Sequence, residues 1–353
     1  MSNFTSNTYQ MKRKILTFTN KISKRLPKPE RKFIADITYG MLASGSCLLT
    51  DVVDQLHEPS KKINIVDRLS RHLDKGTPAS TADSYLQQVK KWVPAAPVIH
   101  IDDSDVVKPD GHKFEALGIV RDGSESTSAK NVYKKGYHVT EVCVLTSSNH
   151  PASIFSKIHS SHEKDYKSAN TITFQAMEQS AALFGKATFA MDRGYDDNKV
   201  FLKLDGLGQL VYGITGHPMM LATNKEIKSK EDVIRVARIY FSRWKIEEYF
   251  RCKKQMFQFE NFRVKKRKAI NALNFYITLC MAFLAKFSME SETYALKVAI
   301  IKTADPVKEK VFFCYYRLAK GISSILSYAK EGVRLWSRTK RPAYHQLCLK
   351  LTA

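Results

Sequence analysis

Residues 240–254, YFSRWKIEEYFRCKK, set Tyr240, Arg243, Glu247, Arg251 and Lys254 at intervals of three, four, four and three. On a helix of 3.6 residues per turn, about 100° per residue, five such side chains fall within an arc of roughly 80°. One face would then carry a carboxylate among three cations and a phenol, with Ile246, Tyr249 and Phe250 packing behind it. Charged stripes of this kind usually end as solvated faces laced with i,i+4 ion pairs. Two carboxylate sites upstream argue for chemistry instead. Asp102 follows the run VIHI (98–101), and Asp192 follows ATFAM (187–191).

Three acids brought to one point repel one another and raise each other's pKa. Such a cluster is tolerable when it binds hard divalent cations, which take oxygen ligands. Two cations about 3.5–4 Å apart can activate an attacking oxygen and stabilise a leaving one on a phosphodiester. Each acid alone means little, since an isolated Asp at a strand end is more often a cap or turn residue. The weight comes from three acids in a strongly basic chain.

That basic balance is pronounced: 57 Lys and Arg against 34 Asp and Glu give a net charge of +23 over 353 residues. A polyanionic partner follows, nucleic acid first and an anionic membrane second. The longest apolar run, 269–285, is short for a membrane span and is interrupted by Asn271, Asn274 and Thr278, so a buried core helix is expected. No signal-like segment opens the chain, and the six cysteines are scattered without a CxxC pair. Both features suit a reducing cytoplasm rather than secretion. His159 and His162 lack partner ligands nearby and read as surface histidines.

The elements that must hold the acids fall in three regions, 1–95, 96–287 and 288–353. Residues 1–32 hold nine Lys and Arg against Glu30, which suggests a flexible or partly helical arm for phosphate contacts. Apolar spacing then predicts helices over 31–49, from an N-cap at Thr50-Asp51 to about 57, over 63–73, and from Ser80 to before Pro94. Such short helices fit a DNA-binding bundle and a plain packing domain equally well. Beyond Pro94 and Pro97, strands are expected over 98–101, 113–120 and 137–146, a helix over 168–184, a strand over 187–191, a helix including 200–204 and a strand over 209–213. With a long helix after them, these elements follow the order of an α/β, ribonuclease-H-like core: a mixed five-stranded sheet with flanking helices. In such a sheet the first and fourth strands lie side by side, so Asp102 and Asp192 converge and the long helix supplies Glu247. Residues 291–353 read as further helical pieces, notably 312–326, with a basic patch at 338–341. They suit a DNA-contacting or dimerising tail.

The segments IDDSD, MDRGYD and YFSRWKIEEYFRCKK resemble the three catalytic segments of the DDE transposases of bacterial insertion sequences. The group resembled carries a Tyr-x2-Arg-x3-Glu-x6-Lys signature, which Tyr240, Arg243, Glu247 and Lys254 fill at every spacing. The resemblance extends over residues 30–285 and includes KFEALGIVRDGS (113–124). It implies that Asp102, Asp192 and Glu247 are the catalytic, metal-binding triad, served by Mg²⁺ with Mn²⁺ able to substitute. Asp102 is preferred because the family pattern Asp-x-Thr/Ser is met by Asp102-Asp103-Ser104, with Asp103 the fallback. Tyr240, Arg243 and Lys254, with Arg251 beside them, would contact double-stranded DNA, both transposon ends and target. Trp244 is assigned to core packing, and Gly194 to a sharp turn after Asp192. A homodimer on DNA is expected, in the cytoplasm at the nucleoid and away from membrane. One departure stands out: only 55 positions separate Asp192 from Glu247, where the family usually carries a long β-rich insertion. Residues 219–223 resemble the strand that would close it. The chain is then a compact variant or an internally deleted copy, and the alternatives are a DNA-binding derivative without catalysis or a nuclease that cuts without joining.

Overall fold

The computed structural model describes residues 2–127, 129–208, 210–215, 220–223, 226–304 and 313–333. The basic patch expected at 338–341 lies outside them.

The first residues form a helix, α1 (Ser2–Ile22), rather than a free arm. Met11, Ile15, Phe18 and Ile22 recur at four, three and four residues and are fully buried. That stripe fastens the helix to the protein; Arg13 and Lys21 stay outward, whereas Lys12 is buried with its ammonium on the Glu331 carbonyl. The helices α2 (Lys28–Ser44), α3 (Leu49–Asp54), α4 (Lys62–Asp74) and α5 (Ala79–Lys90) follow. Pro29 sits in the first turn of α2, where no intrahelical donor is needed, and Gly45 ends it in the left-handed region at φ 63°. The N-caps of α3 and α5 are Leu48 and Pro78, without side-chain caps, so the Thr50-Asp51 and Ser80 start signals are not used. In α4 the expected Ile65, Leu69 and Leu73 are the buried face.

The sheet contains β1 (Val98–Val107), β2 (Gly118–Arg121), β3 (Tyr133–Leu145) and β4 (Pro151–His159), then, after α6 (Ala169–Phe184), β5 (Thr188–Ala190). Next come α7 (Asn198–Gly206), β6 (Leu210–Thr215) and β7 (Met220–Thr223). The five expected strands are present with shifted ends. β7 falls where 219–223 resemble a strand, and the sheet gains β4, so that the described residues form seven strands ordered β2-β3-β1-β5-β6-β7, with β4 also paired to β3. β1 and β3 are antiparallel, whereas β1, β5 and β6 run parallel, so the sheet is mixed. β1 does not stop at Ile101. Its pairing with β3 continues from Ile99↔Val144 to Val107↔Gly136, and the acids are carried inside the strand.

The helix expected over 240–254 is two helices, α8 (Lys230–Ser242) and α9 (Trp244–Met256), joined at Arg243. There the Arg243 N–H donates to the Tyr240 carbonyl and the Ile246 N–H to the Arg243 carbonyl, each at 2.9 Å. These i→i−3 bonds tighten the turn and rotate one half of the stripe against the other. α10 (Arg267–Met289) is long and apolar enough to cross a membrane by length and composition, yet most of its apolar stretch is buried inside the protein. It packs on β4, on α2 and α4, and on α12 (Tyr315–Ser327), which also packs on α11 (Tyr294–Thr303). N-terminal helices, sheet and C-terminal helices thus share one hydrophobic core.

Candidate active site at the β1–β5 edge

Parallel pairing between β1 and β5 covers Val98↔Thr188, Ile99↔Phe189 and His100↔Ala190. Asp102 and Asp192 each stand two residues beyond the last pair, at one register position where the two strands have just parted. The carboxyl of Asp102 is pushed up from its ordinary 3.8 to about 7, first by burial and then by the negative charge of Asp192, against the pull of Arg243. Asp192 is held by its own loop: its Oδ1 accepts from the Gly194 N–H at 2.8 Å. A Cβ on Gly194 would sit 3.0 Å from that oxygen, so the close approach favours glycine.

Glu247 lies in the first turn of α9 with its side chain about one-third exposed. Its carboxylate is paired with Arg243 at 2.7 Å, and the same guanidinium reaches to 3.7 Å from Asp102 Oδ2. Arg243 therefore stands between the first and third carboxylates of the expected triad, Asp102 and Glu247. The junction that presents it is fixed from the sheet side, where the buried His100 ring meets Ser242 Oγ at 2.9 Å. Burial and the Lys245 and Arg243 charges lower the pKa of His100 to about 3, so the ring is neutral. No role for His100 was legible from the chain; its place two residues before Asp102 in a strand was the one available sign.

Asp103, the fallback ligand, has both oxygens engaged, one by the Thr140 hydroxyl and the other by the Tyr195 hydroxyl at 3.0 Å. His159 is not a surface histidine. It is buried, 2.9 Å from Thr140 Oγ1, and stacked between His138 and Tyr166. His162 is exposed.

The remaining signature residues spread out along α8 and α9. Tyr240 is buried, and the Arg243 guanidinium lies 5.9 Å from its ring centre. Arg251 turns away from Glu247, paired with Glu248 and placed over the Trp244 ring. Lys254 is 3.3 Å from both Asp105 and Glu260, on the wall of a cleft of about 480 Å³ that Lys134 and Arg263 also line. Trp244 is not core: it is 54% exposed, with the exposed Phe241 near it.

Among the described residues, no three His, Cys, Asp or Glu come together in a set that could hold a metal ion. The donor chemistry nevertheless fits a hard divalent cation at two corners. Asp102 and Asp192 are oxygen donors whose mutual repulsion already raises Asp102, a strain that a cation would relieve. The third corner, Glu247, is one guanidinium away.

An acidic pair at the parting of two parallel strands, with a third acid on a following helix, defines an acid-lined site in an α/β protein. The family profile described as the transposase DDE domain matches residues 94–283, from just before β1 into α10, and so covers all three acids. The chain belongs to the DDE transposase family. No curated protein matches it.

Proposed function

We propose that this protein is a DNA transposase of the Tyr-x2-Arg-x3-Glu-x6-Lys group, built on a ribonuclease-H-like core. The observation that carries the reading is the matched placement of Asp102 and Asp192 beyond the last β1–β5 pair, with Arg243 linking Asp102 to Glu247. Water would attack the phosphodiester at a transposon end, and the freed 3′-OH would then attack target DNA. Asp102 and Asp192 would hold Mg²⁺, or Mn²⁺ in its place, and Glu247 would join them once Arg243 is drawn off by a DNA phosphate. When bound, the cation supplies activation of the attacking oxygen and charge neutralisation at the leaving one. Arg243 and Lys254 suit phosphate oxygens, and Trp244 with Arg251 offers an exposed ring and a cation beside them. Two transposon ends must be brought together, which favours a homodimer on double-stranded DNA. The place of action would be the cytoplasm, at the nucleoid.

A second reading is favoured by the short path between β6 and α8, where β7 is the only strand among the described residues. An internally deleted derivative would keep the acids and bind DNA without cutting, and a nuclease on the same core would cut without joining. Incubation of the full chain with end-bearing DNA and Mg²⁺ separates the three: joined products, cleaved ends alone, or a mobility shift with intact DNA. Glu247→Gln cutting at the wild-type rate would remove Glu247 from the site.

A further inference from the structure

Backbone pairing between β1 and β5 ends at His100 and Ala190, so no ladder bond fixes the two chains where Asp102 and Asp192 stand. A side-chain bond crosses that gap. Tyr195, three residues after Asp192 and only 8% exposed, donates its phenol O–H to Asp103 Oδ2 at 3.0 Å. The loop that carries it is short and internally tied. The Tyr195 N–H donates to the Asp192 carbonyl at 3.2 Å, and the Gly194 N–H to the Asp192 carboxylate. Just downstream, Asp197 caps α7 and accepts from Asn170 of α6 at 3.0 Å. Fixing the phenol therefore fixes Asp192.

The acceptor is itself held from behind. Thr140 lies directly opposite Asp103 on β3 and donates its hydroxyl to Asp103 Oδ1. A threonine hydroxyl has one proton, so with that proton given to Asp103, the bond to His159 is donated by the His159 Nε2–H. A neutral imidazole can do this with one nitrogen, and burial keeps His159 neutral, its pKa lowered to about 4. Four side chains, from the loop after β5, from β1, from β3 and from β4, thus form one hydrogen-bonded line ending at the loop of Asp192.

We propose that Tyr195 is a positioning residue for the carboxylate pair: its bond to Asp103 sets how far Asp192 stands from Asp102, and Asp103 serves that bond rather than the cation. The proposal rests on the reading of Asp102 and Asp192 as the ligand pair. Partners that orient ligating side chains typically contribute ten- to a hundredfold to metal affinity.

The test is Mn²⁺ binding to the full chain without DNA, followed by electron paramagnetic resonance, with thermal unfolding measured alongside. Tyr195→Phe keeps the ring and should weaken Mn²⁺ binding about tenfold. Thr140→Val should weaken it likewise, and Thr140→Ser, which restores the hydroxyl, should bring it back. The double variant Tyr195→Phe/Asp103→Asn should bind no worse than the weaker single variant, because both remove one bond. A general loosening of the fold would instead lower the unfolding temperature and leave affinity below it unchanged, which would overturn the proposal. Wild-type Mn²⁺ affinity in Tyr195→Phe would overturn it too. Asp102→Asn separates the two levels. If it abolishes Mn²⁺ binding while Tyr195→Phe binds with wild-type affinity, only the positioning role fails; if Asp102→Asn itself binds as the wild type, the ligand reading fails as well.

Discussion

Arg243 holds Glu247 across one helical turn at 2.7 Å while its other terminal nitrogen stands 3.7 Å from Asp102. A planar guanidinium can serve two carboxylates at once in a way that an ammonium cannot. In this arrangement it screens two acids from each other and pulls the Asp102 carboxyl downward, against burial and Asp192. Removing it should therefore push Asp102 above its present value of about 7. A hard cation needs the carboxylate form, so Mn²⁺ binding should rise through a midpoint near neutral pH in the wild type. In Arg243→Ala that midpoint should move to higher pH. Titrating Mn²⁺ binding between pH 5.5 and 9, a range centred roughly on neutrality, checks both statements.

Asp102 makes the fold less stable as the solution becomes more alkaline. The pKa of Asp102 is raised in the folded state, so between 3.8 and about 7 the folded protein binds more protons than the unfolded chain. Stability then falls as pH rises through that window, and the full penalty is present above it. At about 1.4 kcal/mol per tenfold in protonation, the ceiling on this penalty is about 4 kcal/mol. Asp102→Asn should abolish cleavage and yet raise stability, with a gain larger at pH 8 than at pH 4, roughly the two ends of the window. Urea unfolding at the two pH values measures it. Equal effects at both would mean that folding leaves the Asp102 pKa unshifted.

Much of the arrangement could be read from periodicity. Ile65, Leu69 and Leu73 announce the buried face of α4, and the strand-like runs before Asp102 and Asp192 place both acids close to where they stand. What escaped has physical causes. The stripe Met11, Ile15, Phe18 and Ile22 is diluted by lysines and arginines, so composition suggested an arm where amphipathicity makes a helix. β4, PASIFSKIH, is buried over its first four residues and shows no alternation, so no period marks it as a strand. The bend at Arg243 comes from two i→i−3 bonds that leave the apolar pattern unchanged. Tertiary contacts alone decide that His159 is buried and Trp244 is not.

Trp244 gives the third prediction. With 54% of its surface exposed and Arg251 over its ring, it contributes little to the core. Trp244→Ala should change stability by no more than about 0.5 kcal/mol, as for other surface positions. If the ring meets a base of the bound DNA, the same change should weaken binding of end-bearing DNA by about 1–3 kcal/mol. Mobility-shift titration beside thermal unfolding reads both. A large loss of stability with unchanged DNA binding would return Trp244 to the core.

Behind the site, α9 is anchored by Lys253, whose side chain is fully buried. Its ammonium donates to Glu141 at 2.9 Å, to Ser156 at 3.1 Å and to Thr278 at 3.2 Å, which uses all three protons. Glu141 lies opposite Asp102 across β1 and β3, and Ser156 lies opposite Glu141 on β4, so Lys253 ties the Glu247 helix to two strands, β3 and β4, and through Thr278 to α10. A buried pair gains little over a well-packed apolar substitute, but breaking it by removing one partner leaves an uncompensated charge. Lys253→Met should therefore cost about 3–5 kcal/mol, and the double variant Lys253→Met/Glu141→Leu should recover most of that loss. The four proteins of this double-mutant cycle, unfolded in urea, give the coupling directly. If the double variant were as unstable as the sum of the singles, the two residues would be acting independently, and α9 would be held by its apolar face, Ile246, Tyr249 and Phe250, alone.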